Sequence, residues 1–318
     1  MLKRTSATTL LVVVSVLCGP VLAAPQSQGP VNGAVVSELL EKLHRHDSVH
    51  FTLYTDYEDD EHVNRLLGDL EKSFSRLQKE FWDYIPPAHR EGHSEVVIFQ
   101  DRAAFDEFGQ RDSGIAHGRM GWLGAKSGRV GIFRQDEYYK DLTIAVHELT
   151  HVFNSWCASY TPVWLDEGMA QYYANFAAEG AGYKGIRNGI SINSLKITNT
   201  AMKKGAFVPL AGLMRINEDV FYGPSSRVNF AEAWGLVFYL RHGAGANAES
   251  AFSDFYGRLA RGAEAHIALT GAYGTDFEKI ERFWIAYLQR LYGESLRAFE
   301  GAVSENNAAQ SHKTRAGR

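Results

Sequence analysis

Cysteine is nearly absent, with two in 318 residues. Cys18 falls in an apolar N-terminal stretch, which leaves Cys157 alone in the body of the chain. A disulfide-stapled scaffold is therefore excluded, and stability must come from an apolar core or a metal. Proline is scarce too, at eight residues, so collagen-like and proline-rich disordered classes fall away. Positive charge is not in excess: 33 Lys and Arg face 37 Asp and Glu, a formal charge of -4. That balance argues against nucleic acid as a partner, because such binders carry a basic footprint. Beyond the N-terminus no run approaches about 18 uninterrupted apolar residues, so no transmembrane helix is expected there. What the chain does have is 45% hydrophobic residues, enough for one large core or two modest ones.

Lys3 and Arg4 precede an apolar or small stretch, Thr8 to Leu22, that ends in Val21-Leu22-Ala23. This reads as a secretory signal peptide over 1–23, cut after Ala23, and predicts export to a periplasm or the medium. The alternative is an uncleaved anchor, which needs about 20 apolar residues, more than this stretch offers. Cleavage would leave 31 basic against 37 acidic residues. Residues 24–33 then form a flexible lead-in rich in Pro, Gly and Gln.

Residues 35–43 read as a short helix and 49–53 as a strand. Val63, Leu66, Leu67, Leu70, Phe74, Leu77 and Phe81 recur at helical spacing, which predicts an amphipathic helix ended by Pro86-Pro87. Strands follow at 96–99, 118–125 and 130–133, with a short helix around Phe105. From residue 140 the pattern turns helical, over 140–157, 162–178, 228–242, 248–261 and 276–292. Residues 180–225 are rich in Gly, Asn and Ser and read as long loops, and 305–318 as a disordered tail. The expected class is α+β: an α/β lobe over 34–157, then a mainly helical lobe over 158–304.

One motif carries chemistry. In Ala145-Val-His147-Glu148-Leu-Thr-His151-Val-Phe153 the two histidines are four residues apart. On a helix they project to one side and can share a metal ion. Glu148 is one step round from His147, where it can reach a water on the ion without binding the ion. The plainer reading is an exposed helix face with solvated His and Glu. A third ligand is offered by Thr161-Pro-Val-Trp164-Leu-Asp166-Glu167-Gly168, where Pro162 starts a second helix. Glu167 keeps apolar company there, and an unpaired charge in such company is costly. Two imidazoles and one carboxylate leave a fourth position open, the pattern of catalytic zinc.

His147-Glu-Leu-Thr-His151 followed by Trp164-Leu-Asp-Glu167-Gly-Met-Ala-Gln-Tyr-Tyr resembles the gluzincin branch of zinc metallopeptidases. More narrowly it resembles the bacterial peptidase MA-like proteins. Fifteen residues separate His151 from Glu167, a shorter gap than aminopeptidase-type gluzincins usually have. The stretch Phe230-Ala-Glu-Ala-Trp-Gly-Leu-Val is similar to a helix that follows the third ligand in such proteins. The resemblance implies a zincin-like fold with the active-site helix between the lobes. It implies one Zn2+ per chain held by His147, His151 and Glu167, with Glu148 as general base. The implied activity is hydrolysis of a peptide or protein substrate. The alternative is a zincin-fold module that binds peptide or envelope components without turnover.

The tetrahedral intermediate of such a reaction needs a further donor. Related gluzincins place a Tyr or His well downstream, and Tyr222, Tyr239, His242 and His266 are available here. Tyr222 is the candidate, because it sits in the irregular Phe221-Tyr-Gly-Pro segment; an ordinary packed tyrosine is the alternative. In zincins an edge strand before the active-site helix pairs with substrate, and Val130, Gly131, Ile132 and Phe133 occupy that place. They are equally readable as a plain sheet strand. Cys157 lies about 240° around the helix from His151 and is expected to be a buried small residue rather than a ligand.

Overall fold

The computed structural model describes residues 33–114 and 118–316. The signal peptide 1–23 and the lead-in up to residue 32 lie outside the described residues. Helix α1 (Gly33–Leu40) leads into strands β1 (His44–Asp47) and β2 (Phe51–Thr55). Val49, expected in a strand, sits in the turn between them and is 80% exposed. Helix α2 (Asp60–Phe81) is capped by the Asp59 side chain, which accepts the His62 N–H. Its seven apolar residues at helical spacing are all buried, as the period requires. Then come β3 (Ser94–Phe99), α3 (Arg102–Ser113), β4 (Gly121–Leu123), β5 (Val130–Phe133) and α4 (Tyr138–Cys157).

The five strands form one mixed sheet in the order β1-β2-β3-β5-β4. The inner pairs β2–β3 and β3–β5 are parallel, and the outer pairs are antiparallel. Alternation along β3 divides the core. Val96 and Ile98 face α2 and α4, whereas Val97 and Phe99 join Val36, Phe105 and Phe108 from α1 and α3. A strand covered on both faces reads as an unbroken apolar run, and Val96–Phe99 is one. Arg129 and Asp112 pin the β4–β5 turn. The Arg129 guanidinium pairs with Asp112 and Glu95, and Asp112 Oδ2 accepts the Ser113 and Ser127 hydroxyls at 2.6 and 2.7 Å.

The second half is mainly helical. Helix α5 (Val163–Gly180) packs between α4 and α9 (Ser226–His242), and α10 (Ala248–Ala260) closes the far side. The stretch 180–225 holds more structure than its composition suggests: a small hairpin of β6 (Ile186–Arg187) and β7 (Ile190–Ser191), then α6 (Ile192–Lys204), α7 (Leu210–Leu213) and α8 (Glu218–Phe221). Leu195, Thr198 and Ala201 bury one face of α6, which is too polar elsewhere to stand out by periodicity. Glu232 of α9, wholly buried, accepts the Val208 N–H on both carboxylate oxygens at 3.2 Å.

Helices α11 (Ala265–Tyr273) and α12 (Phe277–Ala316) end the described chain. The α12 backbone stays helical past residue 305, where a disordered tail is expected from polarity. Helix propensity is local, and Ala, Gln, Lys and Arg sustain it without an apolar face. Strands thus belong mainly to the first half and helices to the second, in an α+β arrangement. The halves share one apolar cluster that runs from Phe51 to Leu291. Arg241 ties them further, meeting Glu80 of α2, Glu249 of α10 at 2.9 Å and the Tyr173 hydroxyl of α5 at 2.8 Å. Among the described residues no helix is long and apolar enough to cross a membrane.

Candidate metal centre

Helix α4 is buried along most of its length, between the sheet and α5. Asp141, fully buried, anchors its start by accepting the Gln135 N–H at 2.7 Å and facing His62 Nε2 at 3.1 Å. His147 and His151 leave the same side of α4, with ring centroids 4.9 Å apart. Glu167 comes from the second turn of α5, which the Tyr160–Pro162 turn folds back along α4. Its Oε2 lies 3.1 Å from His147 Nε2 and 3.7 Å from His151 Nε2. One ligand atom from each of the three side chains lies within 4.8 Å of the other two. All three residues of the expected ligand set are therefore brought together.

The surroundings are rich in negative charge. Glu167 Oε2 is buried and has no hydrogen-bond partner among the described residues. Three carboxyl groups, Glu148, Asp166 and Glu167, crowd two imidazoles. Burial opposes the charge of Glu167, but His151, His147 and Tyr222 outweigh it and hold the carboxyl down at about 2. Burial likewise opposes protonation of His151, but Asp166 and Glu167 push it up to about 10. A divalent ion on the two Nε2 atoms and Glu167 answers the same excess of negative charge. The donor set, two imidazole nitrogens and one carboxylate with space beyond, fits zinc.

Glu148 is 7% exposed, and burial raises its pKa. Edge strand β4 passes directly over it. A Cβ at Gly121 would stand 2.8 Å from Glu148 Oε1 and 2.4 Å from Ile144 Cγ2, so only glycine admits this approach. Tyr222, just past α8, donates its hydroxyl hydrogen bond to Glu167 Oε1. The other three candidates are elsewhere. Tyr239 packs against Tyr287, His242 bonds the Tyr172 hydroxyl at 2.9 Å, and His266 lies exposed on α11. Cys157 is buried in the core, where burial pushes its thiol up to about 12.

The expectation for Val130, Gly131, Ile132 and Phe133 is corrected. These residues are β5, which is paired on both sides, by β3 and by β4. Their backbone groups are committed to the ladder, so no free edge remains to bind substrate. Among the described residues the edge strands of this sheet are β1 and β4, and β4, joined to β5 by the turn at Ala125–Gly128, is the one beside the site. Order in the chain does not reveal order in the sheet.

A chain of polar groups behind His151, an ion-pair contact followed by two hydrogen bonds, escapes sequence reasoning. Asp166 Oδ2 lies 2.9 Å from His151 Nδ1. Asn154 Nδ2 donates to Asp166 Oδ1 at 2.6 Å, and the buried Tyr256 hydroxyl donates to Asn154 Oδ1 at 3.1 Å. The one available signal was Asp166 beside Glu167; Asn154 and Tyr256 carry none. Such a relay would fix the His151 tautomer that leaves Nε2 free for an ion. Asn154→Ala is expected to weaken zinc binding by about tenfold or more, and Tyr256→Phe by less. Competition against a chromogenic chelator measures both, and unchanged affinity in Asn154→Ala would remove the relay from the site.

The site opens into a cleft of about 1150 Å³. Its walls are β4 with the following turn, residues 88–95, the end of α4 with the 158–161 turn, and Tyr222. Residues 143–262 match a family model described as a protein of unknown function (DUF1570). The match encloses His147, Glu148, His151, Asn154, Asp166, Glu167, Tyr222 and Tyr256, and leaves β4 outside. No curated protein matches the chain.

Proposed function

We propose that this chain is an exported zinc-dependent peptidase of the zincin type. The observation that carries the reading is the convergence of His147 Nε2 and His151 Nε2 on Glu167 Oε2, with buried Glu148 beside them and a cleft in front. His147, His151 and Glu167 would hold one zinc ion, which supplies Lewis acidity and makes water a nucleophile near neutral pH. Glu148 takes the proton from the attacking water and delivers it to the leaving amine. Burial suits that task, because it lifts a carboxyl toward the working pH. Tyr222 donates its one hydroxyl proton to Glu167, and it serves the charge that develops on the carbonyl oxygen by exchanging that bond for one to the oxygen. The free edge of β4 pairs with an extended peptide, which gives backbone affinity with weak sequence preference. Export rests on the Lys3-Arg4 and Thr8–Ala23 pattern.

Elemental analysis of the protein purified without added metal tests this reading. About one zinc per chain is expected, lost in both His147→Ala and Glu167→Ala. A peptide library on the zinc-loaded protein then supplies the cleavage site. No zinc in the parent, with none taken up on reconstitution, would sink the peptidase assignment. Zinc without hydrolysis of any peptide would leave a binding module.

A further inference from the structure

Arg119 is the one guanidinium among the described residues that line the cleft, and no described lysine lines it. The carboxylates there are Glu91, Glu95, Glu148, Asp166, Glu167 and Glu218. Arg119 is half-buried and makes no hydrogen bond or ion pair with a described residue. Its charge is felt by Glu148, but no described carboxylate holds the guanidinium by hydrogen bonds, and a planar carboxylate is its best complement. Its position is set by the sheet. Phe133 N–H donates to Met120 O at 2.8 Å, so the extended pairing of β4 continues back to Met120. The chain bends at Met120, and Arg119 stands just before that bend, in the wall of the cleft and near enough to Glu148 for the two charges to interact. Arg119 is two positions before Gly121, at most about 7 Å from it.

The opposite end of the cleft has the opposite charge. Leu123 pairs with Val130, which pairs with Val96, so the far end of β4 lies level with the start of β3. Glu91 is there, beside the end of α4, where a Cβ at Gly92 would meet Trp156 Cη2 at 2.7 Å; Glu95 is there too, its charge shared with Arg129. A peptide laid antiparallel to β4 has its N-terminal part toward Glu91 and its C-terminal part at Arg119. That direction matches the charges of peptide and cleft at both ends.

We propose that Arg119 is the carboxylate receptor of this cleft, binding a carboxylate that the substrate carries about two residues to the C-terminal side of the scissile bond. The carboxylate is either the substrate's own C-terminus or an acidic side chain. This rests on the peptidase reading. It turns a site with weak sequence preference into one selective for peptides that end, or carry Asp or Glu, just past the cut.

Three peptides test it: one that ends two residues past the cut with a free C-terminus, its amide, and a longer amidated peptide with Glu at that second position. Hydrolysis by the zinc-loaded parent, Arg119→Ala and Arg119→Lys gives KM and kcat. Calorimetry on the metal-free proteins gives affinity without turnover and without zinc as a competing carboxylate ligand. The parent is expected to favour a carboxylate by about tenfold or more in KM and in affinity. Arg119→Ala is expected to treat all three peptides alike, and Arg119→Lys to keep part of the preference. Preference for the free end alone identifies the C-terminus, and preference for the Glu peptide alone identifies a side chain. Equal treatment of acid and amide by the parent, or a preference that survives in Arg119→Ala, overturns the proposal. Should Arg119→Ala unfold, Arg119→Lys and the parent's acid-to-amide ratio decide. If no peptide is cleaved but calorimetry shows an Arg119-dependent preference, carboxylate recognition stands and the peptidase reading falls.

Discussion

Glu148→Gln is expected to bind zinc as the parent does and to lose peptide hydrolysis by a factor of about 10³. The amide has the shape of the carboxyl but cannot take a proton from water. Glu148 is not one of the three groups that converge within 4.8 Å, so its replacement leaves the cage intact. Space does not intervene either, since Gln keeps the volume that the approach of Gly121 to Glu148 requires. Stability should hold or rise, because burial disfavours the charged carboxyl that the substitution removes. Elemental analysis and single-turnover hydrolysis on one preparation separate the possibilities. Zinc lost along with activity would make Glu148 a ligand. Turnover within about threefold of the parent would remove it as the base, since a general base accounts for at least about 10².

The residues of the candidate site were easier to read than the frame that places them, for a physical reason. Metal ligation needs particular residue types at a fixed helical spacing, so His147, Glu148, His151 and Glu167 announce themselves within one short stretch. The amphipathic helix α2 was equally legible, because all seven of its buried residues follow one period. Strand order was not legible. Whether β4 or β5 holds the free edge depends on how β3 pairs across the sheet, and nothing in Val130–Phe133 records that. Residues 180–225 hid α6 because a helix that buries only Leu195, Thr198 and Ala201 has too narrow an apolar face to outweigh its Asn and Gly surroundings. The relay through Asn154 and Tyr256 hid for another reason. Tyr256 is 102 residues from Asn154 in the chain, and only the packing of α10 against the end of α4 brings them together. Tyr222 shows the middle case. Its loop setting suggested a functional role, but its bond to Glu167 depends on where α8 is placed.

Gly168→Ala should damage the same site from behind. Gly168 follows Glu167, the proposed third ligand, and faces α9 rather than the cleft. A Cβ there would stand 2.6 Å from the Ala233 carbonyl oxygen and 2.8 Å from Val237 Cγ2. The first contact is helix backbone, which cannot rotate away as a side chain can. The α5 and α9 axes must separate, and Glu167, one residue away, moves with α5. Alanine is the better helix former by up to about 1 kcal/mol, yet overpacking of this kind costs about 1–3 kcal/mol or more, so crowding wins. The expected result is a fall in melting temperature of roughly 4–10 °C. Zinc affinity should fall about tenfold or more, since ligand placement tolerates little displacement. Gly180→Ala is the control on the same helix. Nothing lies within 4 Å of its Cβ position, so it should melt at or slightly above the parent and bind zinc equally well. The distinction matters because low zinc content alone is ambiguous. If Gly168→Ala melts and binds as the parent does, the α5–α9 contact does not set the position of Glu167. If it loses zinc while Gly180→Ala does not, the helical half of the chain is what holds the third ligand against the two histidines of α4.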